Sequence, residues 1–110
     1  MIEEIIQNYL RGQGFACWLS MPEKPSGNFC VLEKTGSDYG DGIFTATLAV
    51  QSYGSSDYDA AQLNHRVVQT MLDAAALPEI VSCQPLSDYN FPDTTRKRPR
   101  YQAVFSVTHY

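Results

Sequence analysis

The sequence predicts an α+β fold: a two-layer sandwich whose mostly antiparallel sheet of about five strands carries two helices on one face, in the order α-β-β-β-α-β-β. Three observations lead there. Two segments space their apolar residues as helix faces do, and five show the alternation or short apolar run of a strand bounded by turn residues. The strands also come in runs broken by one long helix, which favours antiparallel pairing. The 110 residues suit one domain, 1–110, hiding roughly 65% of its unfolded surface. A 44% hydrophobic and 18% charged composition is that of a folded chain rather than a disordered one.

Ile2, Ile5, Ile6, Tyr9 and Leu10 share one helix face, with Glu3, Glu4, Gln7, Asn8 and Arg11 opposite. The acids open this helix and Arg11 closes it, as the macrodipole prefers, and Gly12 or Gly14 supplies the stop. Phe15 to Met21, between Gly14 and Pro22, reads as a strand, and Pro22 and Pro25 make the next segment, to Gly27, a turn. Phe29 to Lys34 alternates as a second strand ending at Thr35-Gly36. The glycine-rich, acidic segment that follows makes Gly36 to Gly42 a flexible hairpin tip. Ile43 to Tyr53 is the clearest strand, with Phe44, Ala46, Leu48 and Val50 on one face.

Ser56, followed three residues later by Asp59, resembles a capping box opening a helix expected to run to about Leu77, before Pro78. Leu63, Asn64, Val67 and Met71 lie in one half of its wheel, and Gln62, Arg66, Gln69 and Asp73 in the other, so it lies flat on the sheet. Ile80 to Leu86 is a strand, Ser87 to Pro99 a polar loop, and Tyr101 to His109 a final strand alternating Tyr101, Ala103, Phe105 and Val107 against polar partners.

No apolar stretch is long enough for a membrane span or a secretory h-region, so the chain is expected to be soluble and unexported. Cys17, Cys30 and Cys83 form no Cys-x-x-Cys pair, which points to buried apolar thiols in a reducing cytoplasm rather than a disulfide framework or zinc site. His65 and His109 are the imidazoles a catalytic triad would need, and neither sits in a motif; His109 is also beside the chain end. Asp38 and Asp41 lack the register of a calcium loop, and no Gly-Lys-Ser/Thr marks a phosphate loop. No catalytic, metal or cofactor residues are therefore assigned. Asn64 is polar in the apolar half of its helix and is expected to bond nearby backbone rather than another subunit. Trp18 is expected to fill core or edge space.

The net charge of −4 opposes a surface made to cover nucleic-acid phosphates. Its layout is uneven: Arg96, Lys97, Arg98 and Arg100 hold four of the eight basic residues, and without them the net charge would be −8. The run reads as a cationic knob that one subunit would present to the acidic face of another, a heterologous contact able to close into a ring.

The Pro22–Pro25 turn, Phe29-Cys-Val-Leu-Glu-Lys-Thr-Gly36, the strand ending Ala49-Val-Gln-Ser-Tyr53, the Ala-rich helix and Ser87-Asp-Tyr-Asn-Phe-Pro-Asp-Thr94 leading to Arg100-Tyr-Gln-Ala-Val-Phe105 resemble the small tail-terminator or tail-completion proteins of long-tailed bacteriophages, particularly those of Gram-positive hosts and their prophages. The resemblance in element order covers nearly the whole chain. It implies a structural protein of the virion, assembled in the host cytoplasm, that forms a ring, expected to be a hexamer, at the head–tail junction. Such a ring stops polymerisation of the tail-tube protein, meets the head–tail connector and lets DNA through its pore without specific binding. The implied interface segments are the Gly36–Gly42 tip, with Asp38, Tyr39 and Asp41, and the Ser87–Arg100 loop, with Tyr89, Phe91, Arg96, Lys97, Arg98 and Arg100. The alternatives are a head-completion or tail-tube-related phage protein, a small nucleic-acid-binding module using Arg96 to Arg100 with Tyr89, Phe91 and Tyr101 as stacking groups, and a small enzyme using His65 with a nearby acid.

Overall fold

In the computed structural model, which describes residues 1–25 and 27–110, helix α1 spans Ile2–Gly12, β1 Cys17–Trp18, β2 Phe29–Gly40, β3 Ile43–Tyr53, α2 Asp57–Leu72, β4 Ile80–Asn90 and β5 Arg100–His109. The strands form one sheet in the order β1-β2-β3-β5-β4, antiparallel at every step except the short parallel β1–β2 pair. The fold is α+β. Ile2, Ile6 and Leu10 of α1 and Leu63, Val67 and Met71 of α2 share one core with Leu32, Leu48 and Phe105 of the sheet, so both helices lie on the same face.

Local chemistry accounts for the helix ends. Gly14, at φ 96, takes the left-handed position after α1, where a side chain would be strained. The amides of Gly14 and Phe15 then reach back to the carbonyls of Arg11 and Leu10, both at 3.0 Å, closing the helix with the Schellman pair of bonds. At the start of α2 the Ser56 hydroxyl accepts from the Asp59 amide at 3.1 Å. This helix stops at Leu72 rather than Leu77, because the chain tightens into a 3-10 turn, Ala74–Ala76, and Leu77 ahead of Pro78 is extended at ψ 139.

The strands differ from the sequence expectation in length. β1 keeps only two residues: Gln7 and Arg11 of α1 both donate to the Cys17 carbonyl, at 3.1 and 2.9 Å, and the chain then leaves the sheet toward its proline turn. β2 runs through the expected flexible tip to Gly40, since pairing with β3 overrides the weak strand propensity of Gly36, Ser37 and Asp38. What remains is a two-residue turn, Asp41-Gly42, with φ 54 and 79, the positive pair that a tight hairpin of this twist requires. β4 likewise runs four residues beyond Leu86, which removes Ser87 to Asn90 from the expected loop.

Bulges decide which way the side chains point. A register shift at Thr35 moves odd-numbered residues of β2 from the open face, where Val31 and Glu33 lie, to the helix face, where Ser37 and Tyr39 lie. β4, an edge strand, carries two such shifts together with Pro85, features that blunt an edge against further pairing. Asn64 is 3% exposed, and its partner is neither backbone nor another subunit: Nδ2 donates to Oδ1 of Asp88 on β4 at 2.5 Å. The second bulge of β4 turns Asp88 toward α2, and that bulge left no mark in the sequence pattern.

Candidate interaction surfaces at the two ends of the sheet

β2 and β3 run the length of a molecule measuring 43 × 24 × 24 Å. The β2–β3 turn marks one end. The other end carries the β4–β5 connection, which meets the far ends of both strands, Gly54 donating to the Pro99 carbonyl at 3.3 Å.

The hairpin end is aromatic and acidic. Tyr39 packs on Phe44 at 4.5 Å between ring centroids, and Phe44 stacks on His109 at 5.5 Å. All three lie on the helix side of the sheet, where α1 no longer covers it. Tyr39 is 62% exposed and Phe44 41%. Beside them a cleft of about 420 Å³ opens between Ile2, Ile5, Phe44, His109 and Tyr110, with Lys34 on its wall. Asp38 is exposed and accepts from the Tyr39 amide at 2.9 Å, and Asp41 occupies the turn.

The opposite end is a knot of cations, rings and one buried carboxylate. Asp93 and Arg98 pair antiparallel, with amide-to-carbonyl distances of 3.0 and 3.1 Å, and so close a four-residue loop, 94–97. The Asp93 carboxylate is 4% exposed. It accepts from the Arg96 amide at 3.1 Å, from the Tyr53 hydroxyl at 3.1 Å and from the Arg96 guanidinium at 3.4 Å, while Arg100 lies 3.8 Å away. Burial alone would raise its pKa. The bonds from Arg96 and Tyr53 and the charge of Arg100 outweigh burial and hold the carboxyl below its ordinary 3.8. Burial also keeps Tyr53 protonated beyond its ordinary range, so its hydroxyl remains a donor to Asp93.

Arg100 sits against Phe91 at 4.4 Å and Tyr53 at 5.6 Å, and donates to the Phe91 carbonyl at 2.7 Å and the Tyr53 hydroxyl at 3.0 Å. Arg98 lies over Phe29 at 5.4 Å and donates to the Gly27 carbonyl at 3.3 Å. Phe29 and Tyr53 are themselves stacked at 4.9 Å. The expected free knob is thus free only at Lys97: Arg96 is tied to Asp93, and Arg98 and Arg100 are folded back as fasteners of their own subunit. Tyr89 meets Phe91 edge-on at 5.8 Å, and its hydroxyl accepts from Gln102, which in turn bonds Gln51 on the open face.

No protein-family model matches the chain, and no curated protein matches its sequence.

The remaining reactive groups lie apart from both ends or are held inert. His65 is exposed on the outer side of α2. Burial lifts the thiols of Cys17 and Cys83 to about 11 and that of Cys30 to about 12. Among the described residues no three His, Cys, Asp or Glu side chains gather closely enough to hold a metal, and no helix is long and apolar enough to cross a membrane. Trp18 is 42% exposed at the sheet edge, with Arg11 over its ring at 5.1 Å.

The structure groups the sequence-derived interface residues into two opposite sets, Asp38, Tyr39 and Asp41 at one end and Phe91, Arg96, Lys97, Arg98 and Arg100 at the other, with Tyr89 on β4 just below the second set. Sequence reasoning missed Phe44, His109 and Tyr110 at the first end, and Phe29, Tyr53 and Asp93 at the second. One signal could have found Phe44. Reading Asp41-Gly42 as a two-residue turn fixes the pairing Gly40–Ile43 and hence Tyr39–Phe44.

Proposed function

We propose that this protein is a structural subunit of a phage tail, one that associates with its own copies in a ring, expected to be hexameric, to cap the tail tube and meet the head–tail connector. The observation that carries the reading is the segregation of its surface: an acidic, aromatic end and a basic loop, in which Lys97 has no partner among the described residues, lie at opposite ends of a 43 Å subunit. Unlike surfaces at opposite ends favour head-to-tail contact, and such contacts close into a ring when the rotation between copies permits. The resemblance of the chain to tail-terminator proteins supplies the tube and connector as partners, and a ring whose outer face lacks the tube's docking surface ends growth without any chemistry.

The nucleic-acid alternative loses support at Arg98 and Arg100, whose guanidiniums are spent on Phe29, Tyr53 and Phe91 instead of facing outward. DNA passing through the ring should meet an acidic lining, since a basic one would hold it. Electron microscopy of the concentrated protein tests the reading. Closed rings of uniform diameter are expected, and fields of single subunits or open filaments would contradict it.

A further inference from the structure

Cys17 and Cys30 face each other across the parallel pair β1–β2. The register places Cys17 opposite Cys30 and Trp18 opposite Val31, and the Cys30 amide fixes it by donating to the Ala16 carbonyl at 2.8 Å. Residues opposite one another on neighbouring strands point to the same face, and neighbouring strands lie about 4.8 Å apart. A disulfide spans about 4.4–6.8 Å between Cα atoms, so the paired strands already hold the two cysteines at bridging distance. Both side chains are fully buried in the core shared with α1, and both thiols are free. The Cys30 thiol is pushed up to about 12, by burial first and then by the charge of Cys17, an influence that marks the two sulfurs as neighbours.

The third thiol has no such partner. Cys83 lies on β4, three strands from β2 in the sheet order, about 14 Å away at the usual strand spacing and beyond the reach of a disulfide. β1 is also the strand with most to gain from a covalent tie. It has two residues, forms an edge of the sheet, and is anchored to α1 through the Cys17 carbonyl. The chain leaves the sheet after Trp18 and returns to it at Phe29. A bond between the cysteines closes a loop of about 14 residues, long enough for the cross-link to restrict the unfolded chain substantially.

We propose that Cys17 and Cys30 are a redox-sensitive dithiol pair, oxidised to a disulfide by small-molecule disulfides of the glutathione class, and that the bond staples β1 to β2. The proposal is independent of the ring reading. The step takes place as the chain folds or opens, when an oxidant can reach the thiols. The Cys17 thiolate attacks one sulfur of the small disulfide, forming a mixed disulfide and expelling one small thiolate, which takes up the Cys17 proton. The Cys30 thiolate then attacks the Cys17 sulfur and expels the second small thiolate, which takes up the Cys30 proton. Two protein thiols are oxidised, and one small disulfide is reduced to two thiols. In a glutathione-reduced cytoplasm the pair stays as thiols, and in oxidising surroundings the bond forms.

Refolding of the reduced full chain in mixtures of reduced and oxidised glutathione, beside the same mixtures in concentrated urea, tests the pair by peptide mass mapping of the acid-quenched products. A Cys17–Cys30 linked peptide, with Cys83 left as a thiol, is expected in the folded chain. That linkage should be at least about tenfold harder to reduce in the folded chain than in urea, because the strands hold the sulfurs together. The oxidised chain should melt roughly 10 °C above the reduced one, and Cys83→Ser should oxidise and shift in the same way. A linkage no harder to reduce when folded than in urea would overturn the proposal, since the paired strands would then not favour the bond. Three thiols persisting under oxidised glutathione, glutathione left unresolved on Cys17, or a link through Cys83 would overturn it equally.

Discussion

Asp93 does more than any other residue to turn a flexible basic loop into a fixed surface. Its depressed pKa ties it to the acid limb of stability: an acid held below its ordinary value contributes stability above about pH 4, and loses it as pH falls through the folded-state pKa. Asp93→Asn should therefore lower unfolding free energy by about 2 kcal/mol at pH 7, and the gap to wild type should shrink as pH drops below about 4. Urea unfolding of both proteins at pH 7 and pH 3 reads this out, and an equal gap at both pH values would show that the carboxylate charge is not what holds the loop. The cysteines give a second residue-scale expectation. With thiol pKa values near 11 for Cys17 and Cys83 and near 12 for Cys30, little thiolate exists at pH 8. Labelling by a thiol reagent should keep pace with unfolding, and fast labelling of the native protein would contradict the burial seen for all three.

At the scale of elements, the junction between β3 and α2 is the tightest point in the chain. A Cβ on Gly54 would lie 2.4 Å from the Ala60 nitrogen and 2.8 Å from the Asp59 carbonyl carbon, so the first turn of α2 sits directly on this glycine. Gly54→Ala should destabilise by about 1–3 kcal/mol or more, as overpacking against backbone does. Gly40→Ala, where nothing lies within 4 Å, is the control, expected to change unfolding little. Equal melting temperatures for the two variants would refute the close approach. Much of this layer was legible in the sequence: both helix faces, the cap at Ser56, and the alternation of β3 and β5 follow from period and turn chemistry alone. The bulges at Thr35 and in β4 were not legible, because one extra residue changes register without changing composition, and they are what bring Tyr39 to the helix side and Asp88 to Asn64. The Arg96 to Arg100 run was visible as charge. Its partners were not, since Phe29 and Tyr53 reach it through the sheet from more than forty residues away.

For the whole molecule, length matters more than bulk. A radius of gyration of 13.6 Å is close to the roughly 13 Å expected of a compact chain this long. The long axis nevertheless separates an anionic, aromatic end from the cationic loop. That separation lets one small subunit carry two unlike surfaces without pairing them to itself. Electrostatic attraction between such ends is weakened by salt, so self-association should fall as ionic strength rises. The most direct measurement is native mass as a function of protein concentration at low and high salt. Growth from monomer to one discrete closed oligomer, a hexamer, is expected, with the transition moving to higher concentration when salt is added. A chain that remains monomeric throughout, or that grows without limit, would contradict it.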